Sequence, residues 1–286
     1  MFGYSRQAYY KRKQTEKSVI QIQKQVISMV IDKRIRMPRI GTRKLYYLLE
    51  SDFKELSLKV GRDKLFHILR VNNMLIKPKK SYTITTNSKH WLHKHKNQIY
   101  DLDINKPEQV LVSDITYINT KQGHNYLSLV TDAYSKKIMG YNLADNMKAE
   151  ESERALNMAI KNCVYKYEAT IHHSDRGLQY CSTSYQKILE KNNIKPSMTE
   201  KYDPYENAIA ERVNGILKDE FNLDKSFDNF NQAKKVIDSV IDVYNNERPH
   251  LSCDLLTPEQ MHKQRNIKRK KWKKKTSKNK ILEVQY

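Results

Sequence analysis

Apolar residues recur along this chain with two different periods, and the change from one to the other divides it. Over residues 16–36, Val19, Ile22, Val26, Met29 and Val30 fall at helical spacing with Lys and Gln opposite, and Pro38 ends the run. Residues 39–50 (RIGTRKLYYLLE) and 59–70 (KVGRDKLFHILR) predict two more helices, with Leu45, Leu48, Leu49, Leu65, Ile68 and Leu69 as their core stripe. After Pro107 the period shortens. Alternating β-branched and aromatic positions predict strands over 110–119, 125–131 and 137–143, the first two joined at Gln122-Gly123 as an antiparallel meander. A helix over 149–163 follows, with Ala155, Leu156, Ala159, Ile160 and Cys163 inward. Then come a strand before Asp175, a helix over 184–191, a short strand over 195–198, a helix carrying Glu211, and a last amphipathic helix over 230–244.

Charge sharpens this division. The formal net charge of +21 is distributed as +17 over residues 1–100, −6 over 101–262 and +10 over 263–286. Basic arms around a mildly acidic centre suit a polyanion that wraps the protein, whereas lysines added for solubility would spread over every surface. Ser5 can cap a short helix that turns Arg6, Gln7, Tyr9, Tyr10 and Lys11 toward a phosphate backbone, the alternative being a frayed basic terminus. The helix pair at 39–70 reads either as a helix-turn-helix, with Arg39, Arg43, Lys44, Arg62 and Lys64 on DNA, or as a structural bundle with the same leucine core. Residues 77–96 form a Lys-, Thr- and Pro-rich linker. His90, His93 and His95 in it lack the Cys pair that structural zinc usually takes, and Trp91 can stack on a base or pack on a helix. Eleven basic residues and no acid surround Trp272 over 263–280, a phosphate-binding or simply solvated tail. Cys163, Cys181 and Cys253 form no C-x-x-C pair and fit free thiols in a reducing cytosol. No apolar run approaches the ~18 residues a bilayer needs, so the expected location is the cytoplasm, without a membrane partner.

Three acids stand in surroundings that call for an explanation. Asp175 lies in TIHHSDRGLQY, where a strand ends; S-D-R-G is also an ordinary turn in which Asp bonds its own backbone. Asp114 sits inside the strand QVLVSDITYIN. Glu211 lies on the polar side of the helix in YDPYENAIAERVNGILKDEF, and Lys218, seven residues on, is only ~20° away around the axis. Two strand carboxylates and a helical one match the oxygen ligands that a pair of magnesium ions requires, with manganese as a substitute, for phosphoryl transfer on nucleic acid.

The order Asp114, Asp175, Glu211, with 35 residues between the last two, resembles the DDE triad of transposases and retroviral integrases. The stretches VSDITYI, HHSDRGLQY, ENAIAERVNGILKDEF, and YNNERPH followed by TPEQ narrow the resemblance to the second-frame product of bacterial insertion sequences with two overlapping reading frames. That resemblance covers nearly the whole chain. It implies a ribonuclease H-like α/β integrase core, a mixed five-stranded sheet flanked by helices, over 106–265, with an N-terminal all-helical DNA-binding region. The remaining divisions would be the end of a helix-turn-helix plus connecting helix (1–36), the helical DNA-binding region (37–82), a basic linker (83–105) and a basic tail (266–286). It further implies cleavage at the element's ends and strand transfer into target DNA, in a bacterial cytoplasm. Its implied partners are double-stranded DNA, further copies of the chain, and an upstream reading-frame product joined by frameshifting.

Around the triad, Lys218 is the implied DNA contact near the cleavage point. Arg176 and Gln179 either hold a phosphate or cap the turn, Arg212 is a further DNA candidate, and Asn207 orients the helix start. Arg248 and His250 support the site or grip DNA. Of His172 and His173, alternation sends one to the core and one to the site, while Asp203 and Glu206 are expected as cap or solvated acids. Two departures from the family pattern, Leu111 in place of an aromatic and Glu206 in place of an Asp, leave the triad intact. A DNA-binding regulator without catalysis and a ribonuclease on RNA–DNA hybrids are the competing readings, the latter disfavoured by the 35-residue spacing and the basic arms.

Overall fold

The computed structural model describes residues 5–77, 95–165, 170–200 and 207–265. His90, Trp91, His93, Asp203, Glu206 and the tail around Trp272 lie outside them.

The N-terminal basic stretch is one helix, α1 (Arg6–Arg36), and not the two separate segments predicted. No Gly or Pro interrupts residues 6–36, Ser5 accepts from Ala8 N–H as N-cap, and Lys33, Arg34 and Arg36 complement the helix dipole in the last turn. Helices α2 (Thr42–Glu55) and α3 (Arg62–Val71) follow.

The sheet is built from β1 (Val110–Thr120), β2 (Gly123–Asp132), β3 (Ile138–Ala144), β4 (Thr170–Ser174) and β5 (Ile194–Met198) in the spatial order β3-β2-β1-β4-β5. β1 pairs antiparallel with β2, and β2 with β3. β4 joins β1 in parallel and β5 joins β4 in parallel. This is the ribonuclease H-like arrangement that the family resemblance implies. The crossover from β3 to β4 is made by α4 (Ala149–Asn162), which lies so close to β3 that a Cβ on Gly140 would run into the Ala155 carbonyl and the Ala159 nitrogen. α5 (Thr183–Lys191), capped by Ser182, links β4 to β5. α6 (Ala208–Phe221) and α7 (Phe230–Asn246) complete the layers, and a short α8 (Pro258–His262) opens with a Thr257–Gln260 capping box.

One apolar cluster runs through the N-terminal helices into the sheet domain. Val26, Val30, Leu45, Leu49, Phe53, Leu65, Ile68 and Leu69 belong to it together with Ile118, Leu127, Val213, Ile216, Leu217, Phe221 and Ile237. The helical region thus packs on α6 and α7 and shares their core. A buried His262 ties α8 to the sheet: its Nε2 lies 3.1 Å from Glu108 Oε1 and its Nδ1 3.3 Å from Asp132 Oδ2.

Candidate active site

The parallel register brings two of the three acids together. Val112 pairs with His173 across β1 and β4, so two residues further along each chain stand Asp114 and Asp175. Asp114 is still within β1, whereas β4 ends at Ser174 and leaves Asp175 just past the carboxyl end of that strand.

Asp114 is held at both oxygens. Ile115 N–H donates to Oδ1 at 2.9 Å, and Asn214 Nδ2 donates to Oδ2 at 2.8 Å. Burial pushes its carboxyl up to about 7, the negative charge of Asp175 adds to this, and Glu211 adds less; Asn214 and the Ile115 amide work in the opposite direction. Asp175 accepts Gly177 N–H at 3.0 Å, so the turn bond open to an S-D-R-G sequence is made by the same carboxylate that faces Asp114's field. A Cβ on Gly177 would stand 2.8 Å from Gln179 Oε1 and 3.0 Å from Asp175 Oδ1, so a larger residue there would push on both side chains.

Helix α6 supplies the third acid. Glu211 lies in its first turn, where the dipole favours an anion, and is exposed. Partial burial and the charge of Asp175 raise its pKa. Lys218 is half-buried on the same helix; burial lowers its pKa, and the largest opposing influence is the charge of Asp114. The three carboxylates therefore feel one another, and the lysine feels the innermost of them.

Such a set offers hard oxygen donors and concentrated negative charge, the chemistry of a magnesium site. Among the described residues no three His, Cys, Asp or Glu side chains form a ready-made metal cage. Magnesium commonly takes only one or two carboxylates and completes its octahedron with water and substrate phosphate, so this open arrangement fits it.

The remaining candidates separate into exposed and buried groups. Arg43, Arg62, Lys64 and Arg212 are exposed, although Arg62 pairs with Asp63 at 3.0 Å and Lys64 donates to the Lys59 carbonyl at 3.1 Å. Arg176 is half-buried and Gln179 is buried beside Gly177. Asn207, buried at the start of α6, donates from Nδ2 to the Ser113 carbonyl at 3.2 Å and so ties the helix to β1.

Lys44, Arg248 and His250 require correction as DNA contacts. Lys44 Nζ and Arg248 both bind the carboxylate of Glu220, their side chains being only 9% and 3% exposed, and His250 is buried beside them. His172 and His173 do point to opposite faces, but the expectation that one of them reaches an open site is overturned, since both are buried. His172 Nε2 lies 2.7 Å from Ser113 Oγ and 2.9 Å from Tyr185 OH, and burial holds its pKa down at about 3. His173 Nδ1 lies 2.9 Å from Ser197 Oγ. Both faces of β4 are covered, by α5 on one side and by the 95–104 segment on the other, where Gln98 N–H donates to Ser197 Oγ. Asn214 was missed as a site residue. Its signal was its place three residues after Glu211, on the face that also carries Lys218.

Comparisons with known proteins converge on one family. The Integrase core domain family matches residues 104–204 and again 192–258. The chain is 33% identical over 262 residues to an uncharacterized 31 kDa protein of insertion element IS600 from Shigella sonnei, covering 90% of this chain and 94% of that protein. It is 31% identical over 198 residues, 68% of each chain, to transposase InsF of IS3fB from Escherichia coli K12. Among solved structures, the HTLV-2 integrase catalytic core in complex with magnesium aligns with a TM-score of 0.44 and 21% identity over 55% of this chain and 97% of that one. The chain belongs to the integrase-core transposases of bacterial insertion sequences, a metal-dependent polynucleotidyl transferase family that acts on DNA.

Proposed function

We propose that Asp114, Asp175 and Glu211 are the catalytic carboxylates of a transposase that cuts DNA at the terminal inverted repeats of its element and joins the freed ends to target DNA. The observation that supports this reading is the register of β1 and β4, in which Asp114 and Asp175 each lie two residues past the paired Val112 and His173, with Glu211 on α6 sharing their field.

Two magnesium ions, replaceable by manganese, would supply Lewis-acid activation of the attacking hydroxyl and neutralise the departing 3′-oxygen. The protein's own part is to present oxygens and to place phosphate. Asp114 has to lose its proton before it can act as a ligand, and the Asn214 amide favours that loss. Lys218, close to Asp114 and half-desolvated, offers a cation to a phosphate drawn into the acid cluster. In cleavage the oxygen of water bonds to phosphorus as the bond to the 3′-oxygen breaks. In transfer the freed 3′-hydroxyl takes the place of water, so one phosphodiester is exchanged for another and no covalent enzyme intermediate is needed. Exposed Arg43, Arg62, Lys64 and Arg212, with half-buried Arg176 beside Asp175, are the further candidate cations for the duplex. Holding both element ends at once calls for more than one copy of the chain on DNA, and by family likeness an upstream reading-frame product would be fused to it or associated with it.

The test is incubation of purified protein and magnesium with labelled element-end DNA. Nicked and joined products that disappear in Asp175→Asn support the reading. A shift in DNA mobility with no product would instead favour a non-catalytic regulator of transposition.

A further inference from the structure

Three polar ties hold α6, the helix that carries Glu211, Asn214 and Lys218. Its start is fastened to β1 by Asn207 and its middle by Asn214 on Asp114. Its end is held in another way. Arg248 donates from Nε to Glu220 Oε2 at 2.9 Å and from Nη2 to Oε1 at 2.8 Å, and Lys44 Nζ donates to the same two oxygens at 2.8 and 2.7 Å. The main-chain carbonyl of Glu220 accepts Arg39 N–H at 2.9 Å. One residue is thus gripped at its side chain and at its backbone, and two of these grips come from the N-terminal helical region.

Stability is a poor explanation for such a cluster. Buried ion pairs replaced by apolar residues of similar volume are often neutral or stabilising, and α2 already buries Leu45, Leu49 and Phe53 in the shared core. A carboxylate held on both oxygens does fix one thing, the rotation of α6 about its axis. With side chains reaching about 5–6 Å from a helix axis, a tenth of a turn displaces a carboxylate by roughly 3–4 Å, enough to break a metal site.

We propose that Lys44 is a positioning residue for the active-site helix: by clamping Glu220 it sets the rotation of α6, so that the metal centre depends on docking of the N-terminal helical region. This rests on the three-acid reading given above.

The experiment uses the full chain and manganese alone, with affinity read by calorimetry and α6 read by amide hydrogen exchange without metal. Lys44→Met, which leaves Arg248 alone on Glu220, is expected to weaken manganese binding about tenfold and to speed exchange along residues 208–221. Lys44→Arg should restore both readouts. Glu220→Gln, which keeps the volume and removes the charge, should weaken manganese binding in the same way. Unchanged manganese affinity in Lys44→Met, or faster exchange confined to residues 42–55, overturns the proposal while leaving the three-acid reading standing. Wild-type manganese binding that Asp114→Asn does not diminish defeats that reading, and this proposal with it.

Discussion

Asn214 Nδ2 donates a 2.8 Å hydrogen bond to Asp114 Oδ2, joining the middle of α6 to a carboxylate of β1. The bond favours the ionised acid, against burial and the neighbouring charge of Asp175, which together hold the Asp114 carboxyl at about 7. If the three acids hold the metal as proposed, protonation of Asp114 opposes metal entry near neutral pH. In Asn214→Leu the opposing hydrogen bond is lost, and the acid limb of manganese affinity should move to higher pH. For a rise of about one pKa unit, binding at pH 7 should weaken roughly fivefold, approaching tenfold only at lower pH. Manganese titrations across pH 5.5–8.5 (about one and a half units either side of that pKa) check this, and an unshifted limb counts against it.

Removing the charge of Asp114 should stabilise the metal-free protein. A carboxyl raised from 3.8 to about 7 binds more protons folded than unfolded, so its contribution to stability falls as pH climbs from 3.8 through 7. Asp114→Asn is expected to be more stable than wild type by a few kcal/mol at pH 8, with a smaller gain at pH 5. Denaturant melts at the two pH values measure the difference.

His262 works with the opposite ionic form. Burial lowers its pKa, but hydrogen bonds to Asp132 and Glu108 and the charge of Asp132 outweigh this and raise it; Lys137 opposes them weakly. Ser135 Oγ, 3.1 Å from Nδ1, and the Tyr165 ring complete its surroundings. The protonated ring stabilises the fold in full below the unfolded value of 6.5, and that contribution is lost as pH rises through the higher folded value. His262→Gln should therefore cost about 1–3 kcal/mol at pH 6 and much less at pH 9, by the worth of charged hydrogen bonds. An equal cost at both pH values would show that the ring is neutral in the fold.

Much of this arrangement was legible in the chain because its determinants are local. The Val/Ile/Tyr alternation of 110–119 and the helical stripe of Val213, Ile216 and Leu217 specify β1 and α6 without reference to anything distant. Residues whose state depends on remote partners were not legible. Lys44 reads as a surface cation because its carboxylate lies 176 residues away, and Arg248 reads the same way until Glu220 is brought beside it. For His172 and His173, alternation correctly sent the two rings to opposite faces. It could not show that both faces of a five-residue strand would be covered.

A crystal of the protein on element-end DNA grown with manganese tests the central claim most directly, through the anomalous signal of the metal. The account predicts peaks between the carboxyl groups of Asp114 and Asp175, with Glu211 of α6 drawn in to complete the set and the scissile phosphate bridging them. Peaks elsewhere, or DNA bound with its phosphates remote from these three residues, would contradict it.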